Sequence, residues 1–283
     1  MASVKDIFDT KLIRSRRARG AKLVTDAFLF ERCAEDACAR VLDINRTFTQ
    51  TLLIGPPEIT DKLTKSLSVK LGKIVIVNFI DDDLGTLPYP DKNFDLVINA
   101  LDLHSVNNVP RAMHEFMRVL KPDGLFLACL FGGQTLSTLR HVMYEAEDLI
   151  YGHITPRVSP MITLSQAAGL LQTAGFTMPV VDRDLVRVNY KSLALLYRDL
   201  RRMGESNTLI ERAKNPVSIK FFAKVEDIYK RDHTDKASGK LKVEIDIIWL
   251  TGWAPDKSQP KPLKPGSATT RLADALGVKE GKL

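Results

Sequence analysis

Apolar positions along the chain switch repeatedly between two periods. Short continuous runs at 51–55 (TLLIG), 75–80, 94–99 (FDLVIN) and 125–130 (LFLACL) have the length and composition of buried strands. Around them, apolar residues recur at helical spacing. Ala112, Met113, Phe116, Val119 and Leu120 follow Pro110, which suits a first helical turn, and Lys121-Pro122-Asp123-Gly124 ends that helix. Leu136, Leu139, Val142, Met143, Ala146, Leu149 and Ile150 mark a long helix over 135–151. Further helices are predicted over 58–71, 164–174, 192–203 and 216–229, and further strands over 180–188 and 241–253 (LKVEIDIIWLTGW). Strands alternating with helices imply parallel pairing and right-handed crossovers, hence a doubly wound α/β sheet.

The ends of the chain read differently. Residues 1–48 are predicted helical, with a basic run of Lys11, Arg14, Arg16, Arg17 and Arg19 interleaved with Leu12 and Ile13. That run suits a solvated helix face laid over the sheet, or an anionic partner. After residue 254 the chain is rich in Pro, Lys and Ser and reads as extended, with a short helix predicted over 268–276. The expected organisation is therefore a helical segment (1–48), an α/β domain (49–253) and a tail (254–283).

Composition narrows the class. With 45% hydrophobic and 27% charged residues the chain is an ordinary globular protein, and no apolar run approaches the ~18 residues a membrane span needs. The N-terminus lacks the apolar core of a secretory signal. Cys33, Cys38 and Cys129 have no CxxC spacing; Cys129 reads as a small core residue, and the other two offer neither a zinc set nor a disulfide. A reducing cytoplasm is the expected compartment. The net charge of +7 favours acidic partners. Without an aromatic platform or recognition motif, nucleic acid is not an expected partner.

Sheets of this kind bind ligands outside the carboxyl ends of their strands. Polar clusters fall at three of those ends: Asp81-Asp82-Asp83, the stretch from Asn99 to His104, and Phe131-Gly132-Gly133. His104 is the candidate general base, since a neutral imidazole accepts a proton near physiological pH. His114 and His141 lie within predicted helices and read as surface or packing residues. Asp102-x-His104 reverses the usual His-x-Asp order of an iron site and no second histidine is placed to complete one, so no metal is expected. The polar loop Gly204-Glu205-Ser206-Asn207 reads as a helix connection.

The order "acidic residue, LPY, DKNFDLV, LH, PRAMHEFMRVLKPDG" resembles the S-adenosylmethionine-dependent methyltransferase family, in its biotin-synthesis-like branch. The resemblance implies a Rossmann-like methyltransferase sheet with an N-terminal helical lid and C-terminal α+β additions. It also implies S-adenosylmethionine as cofactor, with Gly55, Asp83 and Leu84, and the loop Asn99, Ala100 and Leu101, around it. The acceptor is expected to be an acyl-carrier or protein substrate. FGG-TL-LR, GESN and the terminal TGW…SQPKPLKPGSA resemble a subgroup that includes a respiratory complex I assembly factor of arginine-hydroxylase type, with α-proteobacterial relatives. That subgroup implies a complex I subunit as partner.

One region departs from the family pattern. Where a methyltransferase has several glycines, this chain has Gly55-Pro56-Pro57-Glu58, in which two prolines fix φ and remove two backbone donors. About one helix separates Gly55 from the next strand, so the first βα region is shortened. Glu58 is expected near the positive end of the following helix, where it competes with a ligand carboxylate and weakens the cofactor site.

Overall fold

The computed structural model describes residues 5–23, 28–79, 86–260 and 277. Two helices open the chain, α1 (Thr10–Ala21) and α2 (Phe28–Leu42), followed by β1 (Phe48–Ile54), α3 (Pro57–Ser66), β2 (Leu71–Val77) and β3 (Phe94–Ala100). Next come α4 (Val109–Val119), β4 (Leu120–Phe131), α5 (Ser137–Tyr151), α6 (Leu164–Thr173) and β5 (Thr177–Tyr190). The series ends with α7 (Leu193–Arg202), α8 (Ile219–His233) and β6 (Leu241–Trp253).

The six strands form one sheet in the order β2-β1-β3-β4-β6-β5. β2, β1, β3 and β4 are parallel, and β6 runs antiparallel to both β4 and β5. Strand order reverses between β1 and β3, which opens a crevice at their carboxyl ends. All seven residues of β3 are buried, as expected of a central strand covered on both faces.

Each face has its own core. On one side α2, α3, α5 and α8 bury Leu29, Leu63, Val142 and Phe221 against Leu53, Ile98 and Trp249. On the other, α4 and α6 bury Phe116 and Leu171 against Val97, Phe126 and Leu250. Phe126 lies between the rings of Phe116 and Phe176, with centroids 5.1 and 5.0 Å away. Cys33, Cys38 and Cys129 are free and buried, in keeping with their reading as core residues. His114 and His141 are exposed.

Boundaries moved where pairing outweighed local preference. β2 starts at Leu71 rather than 75, because Leu71 pairs with Phe48, and α3 stops correspondingly early at Ser66. β4 starts at Leu120: Phe94 pairs with Leu120 and Leu96 with Leu125, so Lys121–Gly124 is a turn absorbed as an irregularity within the strand, with Asp123 at φ 58°. One helix joins β1 to β2, and β2 lies at the edge of the sheet, as the shortened βα region implies. The helix predicted over 268–276 lies outside the described residues.

α4 begins with Asn108, whose side chain accepts a hydrogen bond from the Arg111 N–H at 3.1 Å, and Pro110 occupies its first turn. Asn108→Ala is expected to lower global stability by about 1 kcal/mol. Urea unfolding measures this, and an unchanged midpoint would show that the cap contributes nothing.

Candidate functional site

The site begins at the backbone. Gly55 follows β1 with φ 151°, and a Cβ there would lie 2.5 Å from the Ala100 carbonyl oxygen. The β1 and β3 ends therefore approach too closely for any side chain at this position. Leu101 leaves β3 in the left-handed region (φ 50°), donates its N–H to the Cys129 carbonyl, and turns the chain into a short 3-10 turn, Leu103–Ser105.

Asn99, Ala100 and Leu101 are all buried. The Asn99 amide donates to Asp102 Oδ2 at 3.3 Å, and its oxygen accepts from the Leu103 N–H at 3.3 Å. Asn99 thus shapes the loop from below rather than lining a crevice. Asp83 and Leu84 lie outside the described residues.

α1 covers this loop. Arg17 extends from it so that Nη1 reaches Asp102 Oδ1 at 2.6 Å, while Nη2 donates to Ser105 Oγ at 2.8 Å and the Leu101 carbonyl at 3.3 Å. Glu205 Oε1 lies 3.6 Å from the same nitrogen. A guanidinium is thus held deep in the protein by two carboxylates, a hydroxyl and a carbonyl. Burial disfavours its charge, but Asp102 and Glu205 outweigh burial and raise the pKa above its ordinary value. The basic run is accordingly not a uniform solvated face. Arg16 donates to the Asn207 carbonyl, and Arg14 lies over the Phe79 ring at 5.3 Å.

α1 is pinned further by the loop after α7. Gly204 adopts φ 77°, and a Cβ there would come within 2.9 Å of the Arg17 Cα. Asp9 N–H donates to the Thr208 carbonyl, and Ile210 N–H to the Ile7 carbonyl. Asn107 Oδ1 accepts from the Ile7 and Phe8 N–H groups at 2.9 and 2.8 Å.

The GESN loop therefore belongs to the site. His104 Nε2 lies 3.0 Å from Glu205 Oε2, and the imidazole packs on Phe131, centroids 4.6 Å apart. A carboxylate can only accept here, so Nε2 carries the proton. In the neutral ring Nδ1 is then an acceptor; it is buried and has no hydrogen-bond partner among the described residues. His104, Arg17 and Glu205, with Phe131 packed on the imidazole, line one part of a cavity of about 230 Å³ whose other walls include Leu139, Met143, Tyr197, Leu200, Phe221 and Phe222.

Glu205 is missed by sequence reasoning because its role depends on contacts 101 residues away with His104. Burial alone would push its carboxyl up; His104 and Arg17 outweigh burial and hold it below its ordinary value of 4.5. A depressed folded value means that ionised Glu205 stabilises the fold fully above pH 4.5. That contribution is lost as pH falls through the folded value. Urea unfolding at successive pH values should therefore show the native protein losing stability below pH 4.5 more steeply than Glu205→Gln. Equal slopes would contradict this.

A second crevice, of about 120 Å³, opens on the other side of α1 between Pro56, Pro57, Glu58, Asn78, Phe79, Arg14, Arg17, Arg202 and Met203. It lies at the carboxyl ends of β1 and β2, beside the altered turn. Arg17 and Met203 line both spaces, so α1 and the end of α7 stand between the two cavities. The crevice offers an adenosyl amino acid aromatic Phe79 and amide Asn78 after β2, the Glu58 carboxyl group after β1, and the guanidiniums of Arg14, Arg17 and Arg202, with Arg14 lying over Phe79. Among the described residues, no group of three or more His, Cys, Asp or Glu is arranged to hold a metal ion. No helix among them is long and apolar enough to cross a membrane.

Comparison with known proteins agrees with this architecture. Residues 37–128 match the family described as Methyltransferase domain. The arginine-hydroxylase NDUFAF5, mitochondrial, of Danio rerio is 32% identical over 98% of this chain and 91% of its own length. The Homo sapiens protein of the same description is 30% identical over 95% of this chain and 83% of its own. A malonyl-[acyl-carrier protein] O-methyltransferase of Xylella fastidiosa is 33% identical over 61% of this chain and 56% of its own. A methyltransferase-type crystal structure from Bacillus halodurans superimposes with TM-score 0.51 at 15% identity, covering 78% of this chain and 98% of that one, which shows the shared fold. The chain belongs to the S-adenosylmethionine-dependent methyltransferase-domain family that contains the arginine-hydroxylase NDUFAF5 and the malonyl-[acyl-carrier protein] O-methyltransferases.

Proposed function

We propose that this protein is an S-adenosylmethionine-dependent methyltransferase acting on a protein side chain delivered into the cavity beside His104. The observation that carries the reading is the buried, unpartnered Nδ1 of His104, a residue that lines that cavity, with Glu205 fixing the opposite nitrogen. When bound, S-adenosylmethionine supplies an electrophilic methyl group. The protein need then only align the acceptor, exclude water and take up a proton. A carboxylate acceptor, as on a malonyl group, needs no base; a guanidinium, amine or hydroxyl does. His104 therefore favours a proton-bearing side chain over an acyl-carrier carboxylate. Gly55 and the Pro56–Glu58 turn hold the cofactor side, while Asn99, Ala100 and Leu101 support the loop between the two sides. Asp83 and Leu84 retain their proposed place at the adenine end from the sequence resemblance.

A second reading has its own support. The arginine-hydroxylase relatives align over nearly the whole chain, and the site already surrounds one guanidinium, that of Arg17, with Asp102, Ser105 and Glu205. In that reading the protein modifies an arginine of a respiratory complex I subunit, or holds that subunit during assembly. Both readings are placed in the expected reducing cytoplasm, whereas the arginine-hydroxylase relatives are described as mitochondrial. They also keep the division into lid (1–48), catalytic domain (49–253) and tail (254–283).

The deciding experiment incubates the protein with methyl-labelled S-adenosylmethionine and either isolated complex I subunits or malonyl-loaded acyl carrier protein. Label on a subunit side chain is the expected result. Label on the malonyl group would overturn the choice of acceptor. Oxygen added to an arginine in a parallel incubation supplied with dioxygen and a two-electron reductant, found by mass spectrometry without label, would establish the second reading instead.

A further inference from the structure

Glu58 is the second residue of α3, at the turn where the chain departs most from its family. Its Oε2 is buried and has no hydrogen-bond partner among the described residues. Buried carboxylate oxygens are normally satisfied, so an orphan on a crevice wall marks a position for a donor from outside the chain.

The turn explains why a side chain is needed there. Pro56 and Pro57 have no N–H, and the Ile59 and Thr60 N–H groups both donate to the Pro56 carbonyl. The backbone that in a glycine-rich turn would hold a ligand's charged end is thus largely spent. The crevice instead offers side-chain charges of both signs: Glu58 on one wall, Arg14 and Arg202 on others. A guanidinium carries five donors in a planar fork that matches a carboxylate. A crevice lined by a carboxylate and guanidiniums complements an α-amino acid group, whose ammonium and carboxylate stand one carbon apart.

We infer that Glu58 is a ligand-binding residue that accepts the α-ammonium group of an amino-acid moiety in this crevice, with Arg14 and Arg202 receiving its carboxylate. The inference rests on S-adenosylmethionine being the cofactor, since its methionine end carries that group. The guanidiniums are then the side-chain replacement for the lost backbone donors, and Glu58 is the acceptor for the ammonium rather than a competitor of the ligand carboxylate.

Calorimetric titration of the full chain tests this with S-adenosylhomocysteine and 5′-methylthioadenosine, which keeps the adenosine and sulfur but lacks the amino acid. Glu58→Gln should weaken S-adenosylhomocysteine roughly 10- to 100-fold, as expected for loss of a charge-assisted hydrogen bond, and leave methylthioadenosine within about twofold. Equal S-adenosylhomocysteine affinity in both proteins would overturn the role of Glu58 while leaving the cofactor reading intact. Failure of the native protein to bind either ligand would overturn the cofactor reading itself. A ligand-side comparison needs no variant: an S-adenosylhomocysteine analogue without the amino group should bind the native protein weaker by the same factor, and equal binding would refute the inference.

Discussion

Asp102→Ala is expected to release α1 from the sheet. Arg17 would keep its charge in a site where its side chain is 13% exposed, but would lose the partner at 2.6 Å. Removing one member of a buried pair costs about 3–5 kcal/mol, because the remaining charge has no compensation. Glu205 does not make up the loss, since it stands 3.6 Å from Arg17 and is engaged by His104 at 3.0 Å. The damage should be local before it is global. Hydrogen exchange should accelerate at the amides of α1, while those of β3 and β4 stay protected. Replacing both partners, as in R17M with D102L, should restore much of the protection, because the desolvation cost disappears along with the attraction. Full protection of α1 in Asp102→Ala would show that the ion pair does not hold this helix.

His104→Gln is expected to lower methyl transfer by about 10²- to 10⁴-fold, the usual contribution of a positioned general base. Glutamine keeps a donor toward Glu205 but has no atom that takes up a proton, so acceptor binding should change little and turnover should fall. Glu205→Gln should have the smaller effect, because it disturbs the orientation of the imidazole without removing it. A loss confined to KM in His104→Gln would assign His104 to substrate binding instead of proton transfer.

The sheet was legible in the sequence because its strands are short apolar runs bounded by turn residues. All six appeared, and with them the crevice at the reversal of strand order. Local reading failed at strand ends, where the pairings Phe48 with Leu71 and Phe94 with Leu120 extended β2 and β4 past their apolar runs. His104 was legible as a polar residue at a strand terminus. Glu205 was not, because a Gly-Glu-Ser-Asn connection shows nothing locally of the imidazole and guanidinium it meets. Arg17 was hidden for a related reason: one of several arginines in a run, it is distinguished only by Gly204, which lets the chain after α7 pass against its Cα. Glu58 was correctly placed at the start of α3, but the crevice it lines with guanidiniums depends on α1 and α7.

In the proposed reading the cofactor lies between the Pro56–Glu58 turn and α1, across Arg17 and Met203 from the His104 cavity. A crystal structure grown with saturating S-adenosylhomocysteine tests it most directly. The expected result is ligand density in the crevice walled by Pro57, Glu58, Asn78 and Arg202, with the sulfur directed toward His104. Density elsewhere on the protein, or none at saturation, would contradict it.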